Sequence, residues 1–357
     1  MNTTPHFPIE AIMPADTAPD ADARLTALTQ WVRQELKLPT AVLSPLSADA
    51  SFRRYFRLHL GPQSLVAMDA PPEREKLAAF LTIAGRLQAL GLSAPRALAR
   101  NIERGFALLE DLGDRTYGRA LAAGADEATL YRLATDTLIA LQQRWQPRLA
   151  QDIAVYDETT LLNEAALLVD WYWPAVARRD CPAEVRAAFL DAWRAVLPAA
   201  RSLPETLVLR DYHVDNLMLL DGRSGIAACG LLDFQDALIG SPAYDLVSLL
   251  RDARRDVSSA IQDEMLARYL DAFPALDRAG FEAAYWTLGA QRTTKIIGIF
   301  TRLDRRDGKP AYLEHLPRLW RLLEQELTHP VLAPVKIWFD THLPPDLRLR
   351  PAAASDA

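Results

Sequence analysis

The segment "VLRDYHVDNLMLL" sets two carboxylates, an imidazole and an amide between two apolar runs, in the stretch from Arg210 to Asn216. Asp211 and Asn216 stand five positions apart, and Asp233 follows at the end of the next apolar run, "GLLDFQ". These types can do chemistry on a hydroxyl. One carboxylate accepts or orients its proton, while an amide carbonyl and a second carboxylate hold magnesium, a hard cation that prefers oxygen. Any one of them would also suit a plain turn, since Asp and Asn favour turns. As a set bracketed by buried strands, they argue for chemistry.

Positioning such a set takes elements on both sides of it. Leu25, Leu28, Trp31, Val32 and Leu36 recur near helical spacing and predict a first helix. In "SFRRYFRLHLGPQSLVAMDAPPE", Arg54, Phe56, Leu58 and Leu60 alternate with Arg53, Tyr55, Arg57 and His59, which is the period of a strand. Gly61-Pro62 turns it into a partner, "SLVAMDA", so the stretch is a hairpin. "EREKLAAFLTIAGRLQALG" reads as a helix ended by Gly91, and "FALLEDLGDRT" as a strand running into a glycine turn. From about residue 125 the pattern is helical, broken only by short strands around Asp221-Gly222.

The expected fold class is therefore α+β, with two lobes: a small β-rich N-terminal lobe, 23–112, and a larger mainly helical lobe, 113–345. Residues 1–22 read as a mobile tail and 346–357 as a frayed end, with a ligand expected in the cleft between the lobes.

Composition narrows the partners. The 357 residues are 50% hydrophobic and 24% charged, with net charge −6, the balance of an ordinary globular protein. That argues against nucleic acid held on a basic face, but allows a phosphorylated small ligand. Cys181 and Cys229 are too few for a disulfide framework and lack metal-ligand spacing, so free thiols in a reducing compartment are expected. The N-terminus has no signal-peptide pattern, and no apolar run approaches the roughly 20 residues needed to span a bilayer. A cytoplasmic monomer is the expectation.

Asp with Asn five positions on, then a hairpin and a second Asp, resembles the catalytic loop and metal aspartate of kinases. "LVLRDYHVDNLML…GLLDFQDALIGSPAYDLVSLLRD" resembles the aminoglycoside phosphotransferase and choline kinase-like family, small-molecule kinases with a protein-kinase-like fold. Within it, "ASFRRYFRL", "MDAPPE", "LLEDLGD" and "QRTTKIIGIFTRL" are similar to bacterial kinases that phosphorylate the anomeric hydroxyl of N-acetylmuramate and N-acetylglucosamine. The resemblance implies ATP and Mg2+ as cofactors and Asp211 as the catalytic base, with Asn216 and Asp233 as metal ligands. It also implies that Asp245 and Arg210 support the loop, that His213, near its turn, binds substrate, and that Glu110 to Leu112 form the adenine-binding linker.

The sequence departs from that family in three places. Leu209-Arg210-Asp211 replaces His-Gly-Asp, and Asp233-Phe234-Gln235 replaces Asp-Phe-Gly. The phosphate-gripping lysine of the third strand falls at or near Met68. With no glycine-rich loop, "SADAS" must meet phosphate with backbone N–H groups and the Ser51 hydroxyl. Arg54 is the candidate replacement cation, because alternation puts it on the face of Phe56 and Leu58, under the hairpin. The competing reading makes Arg53, Arg54 and Arg57 a solvated strand.

For the acceptor, a sugar calls for aromatic stacking with directed polar groups. Tyr156, Glu164, Asp170, Trp171, Tyr172 and Trp173 offer both, and Trp171, Tyr172 and Trp173 cannot all face one way on a helix. Arg292 and Lys295, three apart, suit an acidic acceptor if they face the cleft, and otherwise form a solvated face. The leading expectation is a magnesium-dependent amino-sugar kinase serving cell-wall (peptidoglycan) recycling. Alternatives are an aminoglycoside or other small-molecule phosphotransferase of the same fold, and a non-catalytic nucleotide-binding regulator.

Overall fold

A computed structural model describes residues 18–48 and 52–354. The chain divides into two units. One comprises Met1–Arg115 with Met218–Asp236, the other Thr116–Leu217 with Ala237–Ala357. The tail expected over 1–22 lies mostly outside the described residues, although helix α1 already begins at Ala18 and runs to Gln30. It continues through a π-turn, Trp31–Glu35, that buries Trp31 and Val32.

The first unit is built on a five-stranded antiparallel sheet: β1 (Val42–Ala48), β2 (Arg54–Leu60), β3 (Gln63–Asp69), β4 (Ala97–Asn101) and β5 (Phe106–Glu110), in the order β1-β2-β3-β5-β4. The predicted hairpin is present, and its register pairs Arg54 with Asp69, Tyr55 with Met68 and Phe56 with Ala67. Residues opposite one another share a face. One face therefore carries Phe56, Leu58, Ala67, Phe106 and Leu108, and these pack with Leu28, Trp31 and Val32 into a core. Helix α2 (Leu77–Ala89) belongs to the same unit, with Leu77, Phe80, Ile83, Ala84 and Leu87 buried. Sequence pattern did not reveal β1 or β4. Both are edge strands, one interrupted by Pro45 and the other largely exposed, so neither shows a clean alternation.

The second unit is helical: α3 (Tyr117–Ala122), α4 (Glu127–Arg144), α5 (Glu158–Leu167), α6 (Trp173–Ala177), α7 (Ala183–Ala200), α8 (Ala243–Leu250), α9 (Ser259–Ala272), α10 (Arg278–Asp307), α11 (Leu316–Glu326) and α12 (Ala333–His342). Short strands Thr206–Val208 and Leu238–Gly240 pair antiparallel at its centre. Helix α10 runs through the middle of the unit, and Gly298 sets its approach. A Cβ there would stand 2.3 Å from the carbonyl carbon of Leu167, so the helix backbone rests directly on the end of α5.

Between α5 and α6 the chain takes a π-turn, Leu168–Tyr172. The extra residue turns both Tyr172 and Trp173 inward, leaving Trp171 half-buried. The buried Tyr172 hydroxyl donates to Leu347 O at 2.7 Å and accepts from the Leu349 amide at 2.8 Å. Arg305 binds Ala352 O at 2.7 Å, and the Ala354 amide reaches Asp304 at 3.1 Å. The C-terminal segment expected to fray is instead docked through Ala354, because its backbone groups find partners on α10 and on the π-turn. Neither Cys181 nor Cys229 forms a disulfide, and no helix among the described residues is long and apolar enough to cross a membrane.

Candidate active site

In the helical unit, the Arg210–Asn216 loop is fixed from beneath and open on top. Asp245, fully buried in the first turn of α8, accepts the Leu209 amide at 2.6 Å and the Arg210 amide at 2.9 Å. Burial pushes its carboxyl pKa up to about 7, although the two amide donors pull the other way. Between those amides the backbone bends through Arg210, whose φ of 72° is unusual for a residue with a side chain. Tyr212 anchors the centre, its hydroxyl donating to Ala134 O on α4 at 2.8 Å. Asp211, next to this anchor, is exposed.

Asn216 closes the loop. Its backbone amide donates to His213 O at 2.9 Å, and its side-chain nitrogen donates to Asp211 O at 3.0 Å and lies 3.2 Å from His213 Nε2. Those partners identify which end of the amide is nitrogen and so which end is the carbonyl. His213 is buried, and burial lowers its pKa. Asp215 was not singled out by sequence pattern, yet it packs on α3: a Cβ at Gly118 would fall 2.3 Å from its Oδ1. The Gly118 amide in turn donates to Val214 O at 3.0 Å.

Several expected acceptor residues gather beside this loop. Glu164 receives Lys295 Nζ at 2.9 Å, the Arg210 guanidinium and the Tyr156 hydroxyl, while Gln291 on the same α10 face donates to Leu161 O at 2.9 Å. Burial opposes the Glu164 charge, but Lys295 and Arg210 outweigh it and hold the carboxyl below its usual range. Arg292 takes a different direction from Lys295: it is buried, and Nη1 reaches Arg251 O at 3.3 Å. Asp170 lies outside the cluster, in a surface ion pair with Arg186 at 2.9 Å, and Trp171 beside it is half-buried. Neighbours in sequence, Asp170 and Trp171 are not brought to Glu164.

The remaining expected residues belong to the sheet unit. Asp233 adopts φ 56° in the turn after the short strand Cys229–Leu231. Phe234 beside it is fully buried and stacks on Phe80 of α2 at 5.1 Å between ring centroids. That docking holds the turn, and Gln235 Nε2 donates to Asp233 Oδ1 at 2.8 Å. Met68 is completely buried on β3, opposite Tyr55. Glu110 is ion-paired with Arg223 at 2.6 Å and Arg96 at 3.2 Å. Leu112 borders Gly230, where a Cβ would meet Met218 at 2.9 Å and Leu112 at 3.2 Å. Ser51 lies outside the described residues.

Arg54 does not take the place expected of it. Its pairing with Asp69 puts it on the α1-facing side of the sheet, opposite the face of Met68, and its Nε donates to Asp69 at 3.1 Å. Arg24 of α1 binds the same buried carboxylate at 2.9 Å. The alternation that pointed Arg54 under the hairpin was right, but the space there is filled by α1. Its neighbour Arg53, which the competing reading put on a solvated strand, is buried: Nη2 lies 3.4 Å from Asp233 and Nε 3.9 Å from Glu75.

Asp233 and Asn216 present hard oxygen donors, a carboxylate about a third exposed and a carbonyl whose amide is held by its nitrogen end. Each of these oxygens, taken by itself, is of the hard type that suits magnesium, which binds few protein ligands. Among the described residues no cluster of three or more His, Cys, Asp or Glu side chains could hold a metal ion by itself.

The chain is similar in sequence and in fold to known proteins. The chain is 40% identical over 340 residues to an N-acetylmuramate/N-acetylglucosamine kinase of Caulobacter vibrioides, covering 85% of this chain and 92% of that one. A protein of the same name from Pseudomonas aeruginosa is 39% identical over 326 residues, covering 85% and 92%. In fold the chain is similar to the ADP-bound aminoglycoside phosphotransferase APH(2'')-Ib, with a TM-score of 0.57, 17% identity and coverage of 84% and 98%. The family model for phosphotransferase enzymes matches residues 42–281, which takes in Arg53, Asp211, Asn216 and Asp233 alike. With its catalytic-loop pattern inside that span, the chain belongs to the phosphotransferase enzyme family.

Proposed function

We propose that this chain is an ATP- and magnesium-dependent kinase that phosphorylates the anomeric hydroxyl of N-acetylmuramate, N-acetylglucosamine or both. The observation that carries it is the Arg210–Asn216 loop, in which Asp211 is exposed while Asn216, Tyr212 and Asp245 hold the backbone around it. The choice of sugar is supported by the names of the relatives that are 39% and 40% identical.

In this reading Asp211 orients the sugar hydroxyl and receives its proton as the oxygen attacks the γ-phosphorus of ATP. The new O–P bond forms as the bond from the γ-phosphorus to the bridging oxygen breaks, and ADP leaves with that oxygen. Asn216 and Asp233 are the residues that would offer oxygen ligands to magnesium, which would supply charge neutralisation at the phosphates. No covalent enzyme intermediate is needed; positioning and electrostatics carry the rate. Glu164, held charged by Arg210 and Lys295, is the acceptor-side carboxylate we assign to hydroxyl recognition.

The test is an ADP-release assay with ATP, magnesium and a panel of amino sugars and aminoglycosides, followed by phosphorus NMR of the product. Phosphate is expected on the anomeric oxygen of an N-acetyl amino sugar. Transfer to another hydroxyl, or to an aminoglycoside alone, would overturn the assignment.

A further inference from the structure

A triphosphate needs a cation, and the third-strand position where related kinases carry lysine holds Met68, completely buried and apolar. The described part of "RRYFR" offers three arginines near that position. Arg57 is committed: it donates to Asp111 at 2.7 Å and to Asp114 at 2.7 Å, and its pKa is raised by those partners against the effect of burial. Arg54 lies on the opposite face with Asp69. Arg53 differs from both.

Its guanidinium lies 3.4 Å from Asp233 and 3.9 Å from Glu75, and the first of these is the proposed metal ligand. Arg53 immediately precedes β2, whose Tyr55 pairs with Met68. Glu75 is itself fixed. It precedes α2 and accepts the Phe52 amide at 3.1 Å, so the end of the loop before β2, the start of α2 and the turn at Asp233 meet on one guanidinium.

We propose that Arg53 replaces the missing lysine: its guanidinium grips the phosphate oxygens of the bound nucleotide while Glu75 holds its other flank. A planar fork of donors can serve a carboxylate on one edge and phosphate on another, which a single ammonium cannot do with fixed geometry. The buried position suits the role, because a cation screened from water interacts more strongly with an entering anion. Arg53 is then a phosphate-binding residue, and Met68 is tolerated because the charge comes from the residue just before the neighbouring strand.

This inference rests on the kinase reading, and the experiment separates the two. Calorimetric titration of adenosine, ADP and ATP, with and without magnesium, is run on the wild-type chain and on Arg53→Met and Arg53→Lys. Losing a charge-assisted contact is expected to weaken ATP and ADP by about tenfold or more in Arg53→Met, with adenosine affinity unchanged. Arg53→Lys keeps the charge without the fork and is expected to recover part of that loss.

Equal ATP affinity in wild type and both variants overturns the inference. So does a matching loss for adenosine, which would mark Arg53 as structural. If Arg53→Met does not fold, Arg53→Lys decides alone: an unchanged preference for ATP over adenosine sinks the proposal. A wild-type chain that binds no ATP and phosphorylates no sugar refutes the kinase reading itself.

Discussion

Lys295 donates to Glu164 at 2.9 Å, joining residues 131 positions apart in the sequence. Arg210 reaches the same carboxylate from the catalytic loop, so one acid on α5 fixes both α10 and the backbone that presents Asp211. Gln291, one turn earlier on α10, braces the contact through Leu161 O.

Removing that acid strands two cations. Glu164→Ala is expected to destabilise the chain by about 3 kcal/mol, since breaking a mostly buried ion pair leaves the partner charges uncompensated. Glu164→Gln should cost less stability while still impairing acceptor binding. Urea denaturation gives the first quantity, and KM for the sugar gives the second.

Asp211 is exposed, and Asn216 binds its backbone carbonyl rather than its side chain. Asp211→Asn should therefore leave the loop and ATP affinity intact while lowering kcat by about 100-fold or more, the usual range for losing a general base. A drop in melting temperature equal to that of a core variant would contradict this separation.

Gly298 illustrates two opposed effects. Alanine would gain about 1 kcal/mol of helix propensity over glycine. The added Cβ, 2.3 Å from Leu167 C and 2.5 Å from Leu167 O, faces backbone that cannot swing aside. Overpacking costs typically about 1–3 kcal/mol and wins. Gly298→Ala is expected to be net destabilising in thermal unfolding, with reduced activity as Lys295 shifts away from Glu164.

Asp245 supplies a pH dependence. Its carboxyl titrates near 7 in the folded chain against 3.8 ordinarily, so the folded state holds its proton more tightly. Stability contributed by this group is present at low pH and falls as pH rises from about 4 to about 7, where it levels off. In Asp245→Asn that part of the slope disappears, although overall stability drops because one amide loses its acceptor. Chemical denaturation of both proteins from pH 4.5 to 8 measures the difference in slope.

Sequence alone determined the local framework. The period-two run from Arg54 to Leu60, the helix after Glu75 and the polar loop between apolar strands are local patterns, and each forms where it was expected. The proposed trio is local in the same sense, since Asp211 and Asn216 share one loop and Asp233 stands in the turn after the strand Cys229–Leu231. Tertiary structure decided which charges serve which partners. Alternation placed Arg54 and Arg53 on opposite faces, but only the packing of α1 against one face, and of Asp233 and Glu75 against Arg53, showed which guanidinium sits beside the proposed metal ligand. Arg292 and Lys295 share a helix yet diverge, because neighbours far along the chain, Arg251 and Glu164, claim them separately. A charge is assigned by what surrounds it in space, and spacing along one strand or helix cannot carry that information.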